Sequence, residues 1–510
     1  MKKRLILPVV GCILGFTLSN AQENKLLTIE QAIEIALHGS YTVRSNDNSR
    51  QAMRFEYQYY KAQFKPRLDF NVFTPSWDES VSAVAQVDDL PVYNSTSSVR
   101  FGGDLRFTYV LPTGGNLALS GLMYHEALRT TFALDYSTLK RRQAYTQYGI
   151  IFNQPIFTKN RLRENLKEAQ YKYERSELYF TRAQMNIVYQ VTRGFYEVYR
   201  ASYEKQINEE RLKNSQEALR IAKLKFETGN IPEGDVLITE IDVAQNDARL
   251  SESIGLYEAE KDEFKLLIGM DMNEEIDILA EMEFESIIVD LQTAIDQALA
   301  NRLEIKEGEY DVKLQEIAVD RAKREREFKG NISAYYDLTG LSTKSVKNVA
   351  DLFQSSFDNM IDRPDNRGVT LTLSIPILDW GRGKNIVRSQ TIRLKEQQLN
   401  LENTNNVIIK EIRDIVRTVY EAENRFRINQ KNSENAARSY HINRMRFENG
   451  DITGQELSVE QARLSQVRLD FLNAYITYQL ALADLKRKTM WDFEYNRSYV
   501  IQSDPSVNTE

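Results

Sequence analysis

Near the end of the chain Val369, Leu371, Leu373 and Ile375 alternate with Thr370, Thr372 and Ser374 until Pro376 interrupts. Earlier, Tyr148, Ile150 and Phe152 alternate with Gln147, Gly149 and Asn153 before Pro155. A period of two predicts strands with one apolar face. After each proline a polar stretch follows, residues 159–228 and 383–449, and each predicts one helix. A helix of roughly 70 residues is ~105 Å long, whereas globular helices average about 11–12 residues. The apolar positions in the first are sparse: Ile187, Val191, Phe195 and Val198 form a near-heptad seam.

The flanking patterns assign the rest. Thr28 and Gln31 are spaced as a capping box for a short helix with Ala32, Ile33, Ala36 and Leu37 on one face. A polar helix spans about 42–63, and Arg67 to Phe73 alternates as a strand. Residues 74–99, rich in Ser, Asp and Val, read as a loop. Phe101, Gly103, Leu105 and Phe107 alternate again, Pro112–Gly115 is a turn, and 116–124 is a return strand. This hairpin at about 100–124 either extends a rim or adds strands to the sheet. Gly229 suits a helix C-terminus and Pro232 the start of a return helix over 233–267.

The order then recurs. Ala294–Leu299 matches Ala32–Leu37, Phe328–Lys329 matches Phe64–Lys65, Pro376 matches Pro155, and Phe447–Ile452 matches Phe226–Ile231. Matches in the same order imply a duplication. The first repeat covers 22–268, with strands near 67–73 and 145–153; the second covers 291–488, with strands near 331–338 and 369–375 and helices 383–449 and 454–487. Residues 269–290 and 489–510 are left as mixed segments outside the repeats.

Composition narrows the class. The chain has 510 residues, 27% of them charged, and a net charge of -7, which argues against a nucleic-acid partner. Lys2–Arg4, the apolar Leu5–Leu18 and Ser19–Asn20–Ala21 form a secretory signal peptide, residues 1–21. The single cysteine, Cys12, lies within it, so the exported chain has no disulfide, catalytic thiol or thiolate metal site. No later run of 18 apolar residues predicts a membrane helix. His38, His125 and His441 are scattered, and no triad or metal spacing is present. The reading therefore assigns no enzyme activity, cofactor or metal.

The alternating strands then decide the architecture. An exported sheet with a polar and an apolar face suits a membrane barrel, and a sheet in lipid must close. Four strands per chain cannot close around a pore, but three copies give 12. The same trimer would gather the helices into a tube with water on both sides. A soluble coiled-coil scaffold in the periplasm is the alternative from another class.

Together, the signal peptide, the duplicated halves, the Gln154–Pro155–Ile156–Phe157 and Ile375–Pro376–Ile377–Leu378–Asp379–Trp380–Gly381–Arg382–Gly383 junctions, and the glycine turns resemble the TolC-type outer-membrane factors. The resemblance implies a mainly α fold: a homotrimer with a transmembrane 12-stranded β-barrel in outer-membrane lipid, a periplasmic α-helical barrel, and a mixed equatorial collar from residues 22–41, 269–300 and 488–510. It also implies the role, the exit duct of a tripartite efflux pump in the Gram-negative outer membrane. A periplasmic adaptor and an inner-membrane RND or ABC transporter would be its partners. A duct for type I protein secretion is the alternative within the fold.

In that family the tip turns dock the adaptor. The corresponding positions are Gly229, Asn230 and Ile231, and Gly450, Asp451 and Ile452. The family's flanking valine is absent from both turns, and Phe226 and Phe447 stand where a tyrosine hydroxyl would serve a closing network. Asp235 and Glu456 fall where the family places gate carboxylates. Each also suits a local role, Glu456 completing a capping box with Thr453 and Asp235 sitting in a first helical turn. Val369, Leu371, Leu373 and Ile375 are the expected lipid-facing positions, and Pro155 and Pro376 the strand–helix junctions.

Overall fold

A computed structural model describes residues 25–86, 89–280, 282–343 and 348–499. The signal peptide and Cys12 lie outside them. The first repeat runs β1 (Lys25–Leu27), α1 (Ile29–Gly39), α2 (Tyr41–Ala62), β2 (Arg67–Gln86), β3 (Asp89–Val110), β4 (Asn116–Thr131), β5 (Thr138–Ile156), α3 (Arg161–Glu227) and α4 (Glu233–Ile268). After β6 (Ile276–Ile278) come α5 (Leu291–Asn301), α6 (Leu303–Arg324), β7 (Lys329–Ser342), α7 (Val349–Asp362), β8 (Asn366–Ser374), α8 (Arg382–Asn449) and α9 (Gly454–Thr489). The short strands β9 (Trp491–Asp492) and β10 (Arg497–Ser498) close the described chain.

The duplication is visible in helix lengths. α1 and α5 each have 11 residues, α2 and α6 have 22, α3 and α8 have 67 and 68, and α4 and α9 have 36. Both short helices are capped at the N-terminus: Thr28 closes a full capping box with Gln31, and the Asp290 carboxylate accepts from the Thr293 amide.

The chain divides into two compact units. The unit of residues 47–180 and 303–407 holds a six-stranded antiparallel sheet in the order β2-β3-β4-β5-β7-β8. The alternating runs behind the count of four strands per chain lie in β2, β5, β7 and β8; β3 and β4 bring the sheet to six. Residues 74–86 and 89–99 are also strand rather than loop. β2 pairs with β3 from Arg67↔Thr108 to Gln86↔Asp89, with a bulge between Phe73 and Ser76. Pro75 sits in that bulge, one of the few places a sheet accepts a residue with no N–H.

The register aligns the two faces across the whole sheet. Phe70, Leu105, Gly121, Tyr148 and Leu338 fall at one level on the apolar face. Asp69, Arg106, Ser120, Gly149 and Asp337 share the polar face. α7 lies on the apolar side: Tyr148 and Phe357 meet edge to face at 6.4 Å, and the Asn359 side chain accepts from the Leu341 amide at 3.1 Å. That amide lies beyond Asp337, where pairing with β8 stops. Helices in this unit are tied by ion pairs, Arg50–Glu177 at 3.4 Å, Arg321–Glu168 at 2.8 Å, Arg175–Asp311 and Arg324–Glu164.

The other unit comprises residues 25–46, 181–302 and 408–499 of the described chain. Its seam is the near-heptad run: Ile187, Val191, Phe195 and Val198 are all buried. Phe195 packs on Phe264 of α4, and Phe426 and Leu472 pack with Tyr475 of α9 and Tyr196 of α3. β1 pairs in parallel with β6. Burial pushes the Tyr199 phenol up to about 12, mainly by desolvation. Among the described residues no helix is long and apolar enough to cross a membrane.

Candidate functional site

The two helical turns, one per repeat, build a single small site. Gly229 has φ 74° and Gly450 φ 92°. In the first, the Gly229 amide donates to the Phe226 carbonyl at 2.8 Å and the Asn230 amide to Lys225 at 2.8 Å; in the second, Gly450 donates to Phe447 at 3.1 Å and Asp451 to Arg446 at 2.9 Å. This paired arrangement is the left-handed glycine ending of an α-helix. It satisfies carbonyls that the last turn leaves open.

The return helices begin differently. Pro232 precedes α4 with no side-chain cap, while Thr453 precedes α9 and closes a capping box with Glu456. The Glu456 carboxylate accepts from the Thr453 amide at 2.8 Å, and the Thr453 hydroxyl accepts from the Glu456 amide at 3.2 Å. These hydrogen bonds to Thr453, with Arg446 nearby, hold the carboxyl below the usual glutamate range. Asp235 is half-buried in the first turn of α4, where its carbonyl accepts from the Thr239 hydroxyl at 2.8 Å.

The structure brings most of the sequence-selected residues of the two repeats together, while Gly229 and Asn230 are not part of the cavity lining. Ile231, Asp235, Gly450, Asp451, Ile452 and Glu456 line one cavity of about 170 Å³. Below it Tyr440, Phe447, Leu457 and Leu464 form a closed apolar cluster with Ile452 against it. A Cβ on Gly229 would meet nothing within 4 Å. That glycine is held by its backbone angle rather than by space.

Lys225 is the residue the sequence reading missed. Its ammonium donates across the repeats to the Phe447 carbonyl and lies 4.7 Å from the centre of the Phe447 ring. Arg446 occupies the equivalent place in the second repeat and donates to Asn443, at 3.4 Å, within its own helix. A cation before the Phe-Glu pair in both repeats was the available signal. Lys223–Glu240 at 2.8 Å and Ser458–Asp242 at 2.8 Å add further links between helices here.

The remaining selected residues lie in the sheet-bearing unit. Val369, Leu371, Leu373 and Ile375 are 77%, 58%, 53% and 65% exposed on the apolar face. Pro155 closes β5 opposite Asn331. Just beyond, Asn160 caps α3, accepting from the Leu162 amide at 2.9 Å and the Arg163 amide at 3.2 Å. After Pro376 the exposed Ile377, Leu378 and Trp380 lead into α8, and the Asp379 carboxylate accepts from the Gly381 amide at 2.9 Å and the Gly383 amide at 2.8 Å. Those amides hold its carboxyl below the usual aspartate range. Gly381 itself has φ 85°.

A wide antiparallel sheet with one apolar, exposed face, continued in the chain by helices of 67 and 68 residues, defines the class of outer-membrane channels. The family model described as "Outer membrane efflux protein" matches residues 125–269 and 294–489, and the chain belongs to this family. Among solved structures it is similar to the Campylobacter jejuni CmeC outer membrane channel, with a TM-score of 0.66, 13% identity and coverage of 99% of this chain and 96% of that one. It is also similar to the outer membrane protein VceC of Vibrio cholerae (TM-score 0.63, 14% identity, 91% and 97% covered). The open state of the Neisseria gonorrhoeae MtrE channel matches with a TM-score of 0.63, 13% identity and coverage of 93% and 91%. A search of curated protein sequences gave no match.

Proposed function

We infer that three copies of this chain form the outer-membrane exit duct of a tripartite efflux pump, carrying small molecules out as a passive gated conduit. The observation that supports this most is the apolar sheet face. Large side chains on Leu68, Phe70, Val72, Val369 and Leu371 stand more than half exposed, which costs nothing only in lipid. The opposite face, with Asp69, Asn71 and Arg106, suits a wet lumen.

In this reading the helices extend into the periplasm of a Gram-negative cell. The Gly229–Ile231 and Gly450–Ile452 turns receive a periplasmic adaptor that links the duct to an inner-membrane RND or ABC transporter. Asp235 and Glu456 ring the opening, where carboxylates favour cations. Glu456 serves its helix cap at the same time.

The test is crosslinking from cysteines placed at Asn230 and Asp451 in growing cells, followed by purification in detergent. The duct predicts a detergent-dependent trimer captured with a periplasmic adaptor, and a mutant lacking the chain that accumulates small toxic compounds. Recovery of the chain in a soluble periplasmic fraction would refute the reading. Loss of a secreted protein with unchanged compound accumulation would assign the duct to protein secretion instead.

A further inference from the structure

We propose that the β3–β4 hairpin widens the outer-membrane barrel, so that the trimer closes 18 strands, six from each of three copies, rather than 12. This rests on the trimeric duct inferred above.

An extra hairpin at a sheet edge or rim would leave the barrel unchanged. Here β3 is hydrogen-bonded along its length between β2 and β4, and β4 between β3 and β5. The hairpin stands between the two strands that would otherwise be neighbours.

Its faces continue those of the sheet. Leu105, Phe107, Leu117, Leu119 and Met123 lie on the apolar side. On the polar side Arg100 of β3 pairs with Glu126 of β4 at 2.8 Å, and Gln143 of β5 donates to the same carboxylate at 2.5 Å. Beside them Tyr124 stacks on Tyr145 at 4.9 Å. Side chains thus bridge the hairpin to β5 on the face that would line the lumen.

Its turn is also tied down. The Asn160 amide group donates to the Pro112 carbonyl at 3.0 Å and the Thr113 hydroxyl to Gln154 at 2.7 Å, both beside the Pro155 junction. The hairpin is held at the foot of the sheet as well as along its length.

Strands lie about 4.7–4.9 Å apart, and barrel diameter grows roughly linearly with strand number. The proposed barrel is about 1.5 times as wide as a 12-stranded one, in the range of porins with open aqueous channels. The membrane part then places no size limit on cargo beyond that of the periplasmic turns.

Disulfide mapping tests this in the intact chain with Cys12 replaced by serine. Phe70 is level with Leu105, while Tyr148 lies three strands from Phe70. Three spacings are about 14 Å, and a disulfide needs Cα atoms within about 7 Å. F70C/L105C is expected to form a disulfide in the membrane, seen as loss of maleimide labelling. F70C paired with Y148C, I150C or F152C is expected to keep full labelling. Closure of any β2–β5 pair, or failure of F70C/L105C to close, overturns the proposal. The mass of the same detergent-purified sample is measured in parallel. A sample that is not trimeric refutes the trimeric duct, whereas a trimer with a closed β2–β5 pair refutes the widened barrel alone.

Discussion

Replacing Lys225 with methionine removes a charge that joins the two repeats while keeping the length of the side chain. The ammonium makes two contacts that methionine does not reproduce, the donation to the Phe447 carbonyl and the placement 4.7 Å from its ring. A hydrogen bond involving a charged group contributes about 1.5–3 kcal/mol, and an exposed cation–π contact ~0.5–1 kcal/mol. Lys225 is only half-buried, so solvent screening discounts the lower-end sum of about 2 kcal/mol, and K225M should cost about 1–2 kcal/mol locally. That corresponds to opening of the turn about 5–30 times more often. Phe447 O also accepts from the Gly450 amide, and the adjacent Asp451 amide donates to Arg446, so these two amides report on the site. Hydrogen exchange of the detergent-purified protein should show both exchanging faster by that factor. K223M, which removes only the exposed pair with Glu240, should change them less than about fivefold, since exposed pairs contribute ~0–1 kcal/mol. Unchanged exchange at Gly450 and Asp451 in K225M would refute the clamp.

Three further outcomes are expected. G229A puts a side chain at φ 74° with no clash to relieve, so it should lose about 1–2 kcal/mol of local stability from backbone strain alone, read by exchange at Asn230. L371R should lower the yield of folded protein in the outer membrane by a cost of about 2–4 kcal/mol if the residue lies at mid-bilayer, while T370R on the polar face should not. The Glu456 carboxyl is held below its usual value of 4.5, so its contribution to the cap is present at neutral pH and is lost as pH falls from that value through the lower folded one. Protection of the Glu456 amide, taken relative to its intrinsic exchange rate at each pH, should therefore fall on acidification in the wild type and stay flat across that window in E456Q.

The long helices were legible because nothing breaks them, and their ends because glycine and proline stand where a helix stops and restarts. The seam from Ile187 to Val198 was legible from spacing alone. Residues 76–85 were not, although they form the outer half of a 20-residue strand. Alternation shows only where one face meets an apolar medium. Beyond the bulge both faces of β2 are exposed, and Trp77, Glu79 and Val81 share one side without a common polarity. α7 had a signal that was passed over: Leu352, Ser356 and Met360, four apart, are the three positions it buries. Lys225 had only a weak one. Its partner is 222 residues away, and a charged side chain before a helix end looks the same whether it caps its own helix or crosses to another.

The composition of the helices follows from where each meets a neighbour. A helix with water on two sides has only narrow flanks to bury, which explains why α3 and α8 are polar overall yet fully bury Val191 and Val419. In the unit holding the glycine turns, those flanks are filled by aliphatic and aromatic side chains, each worth about 1.5–3 kcal/mol when buried. In the sheet-bearing unit, Arg50, Arg175, Arg321 and Arg324 pair with carboxylates on adjacent helices instead. The more exposed of these, Arg175–Asp311 and Arg321–Glu168, contribute ~0–1 kcal/mol each and are screened by salt over about 8 Å at physiological ionic strength. They fix which helices lie side by side more than they hold them there. Helix pairing in the sheet-bearing unit should therefore respond to ionic strength, while the apolar cluster of Tyr440, Phe447, Leu457 and Leu464 should not. In the gated duct proposed above, an opening movement at the glycine turns would shift the hairpins around that cluster and break the Lys225–Phe447 contact between repeats.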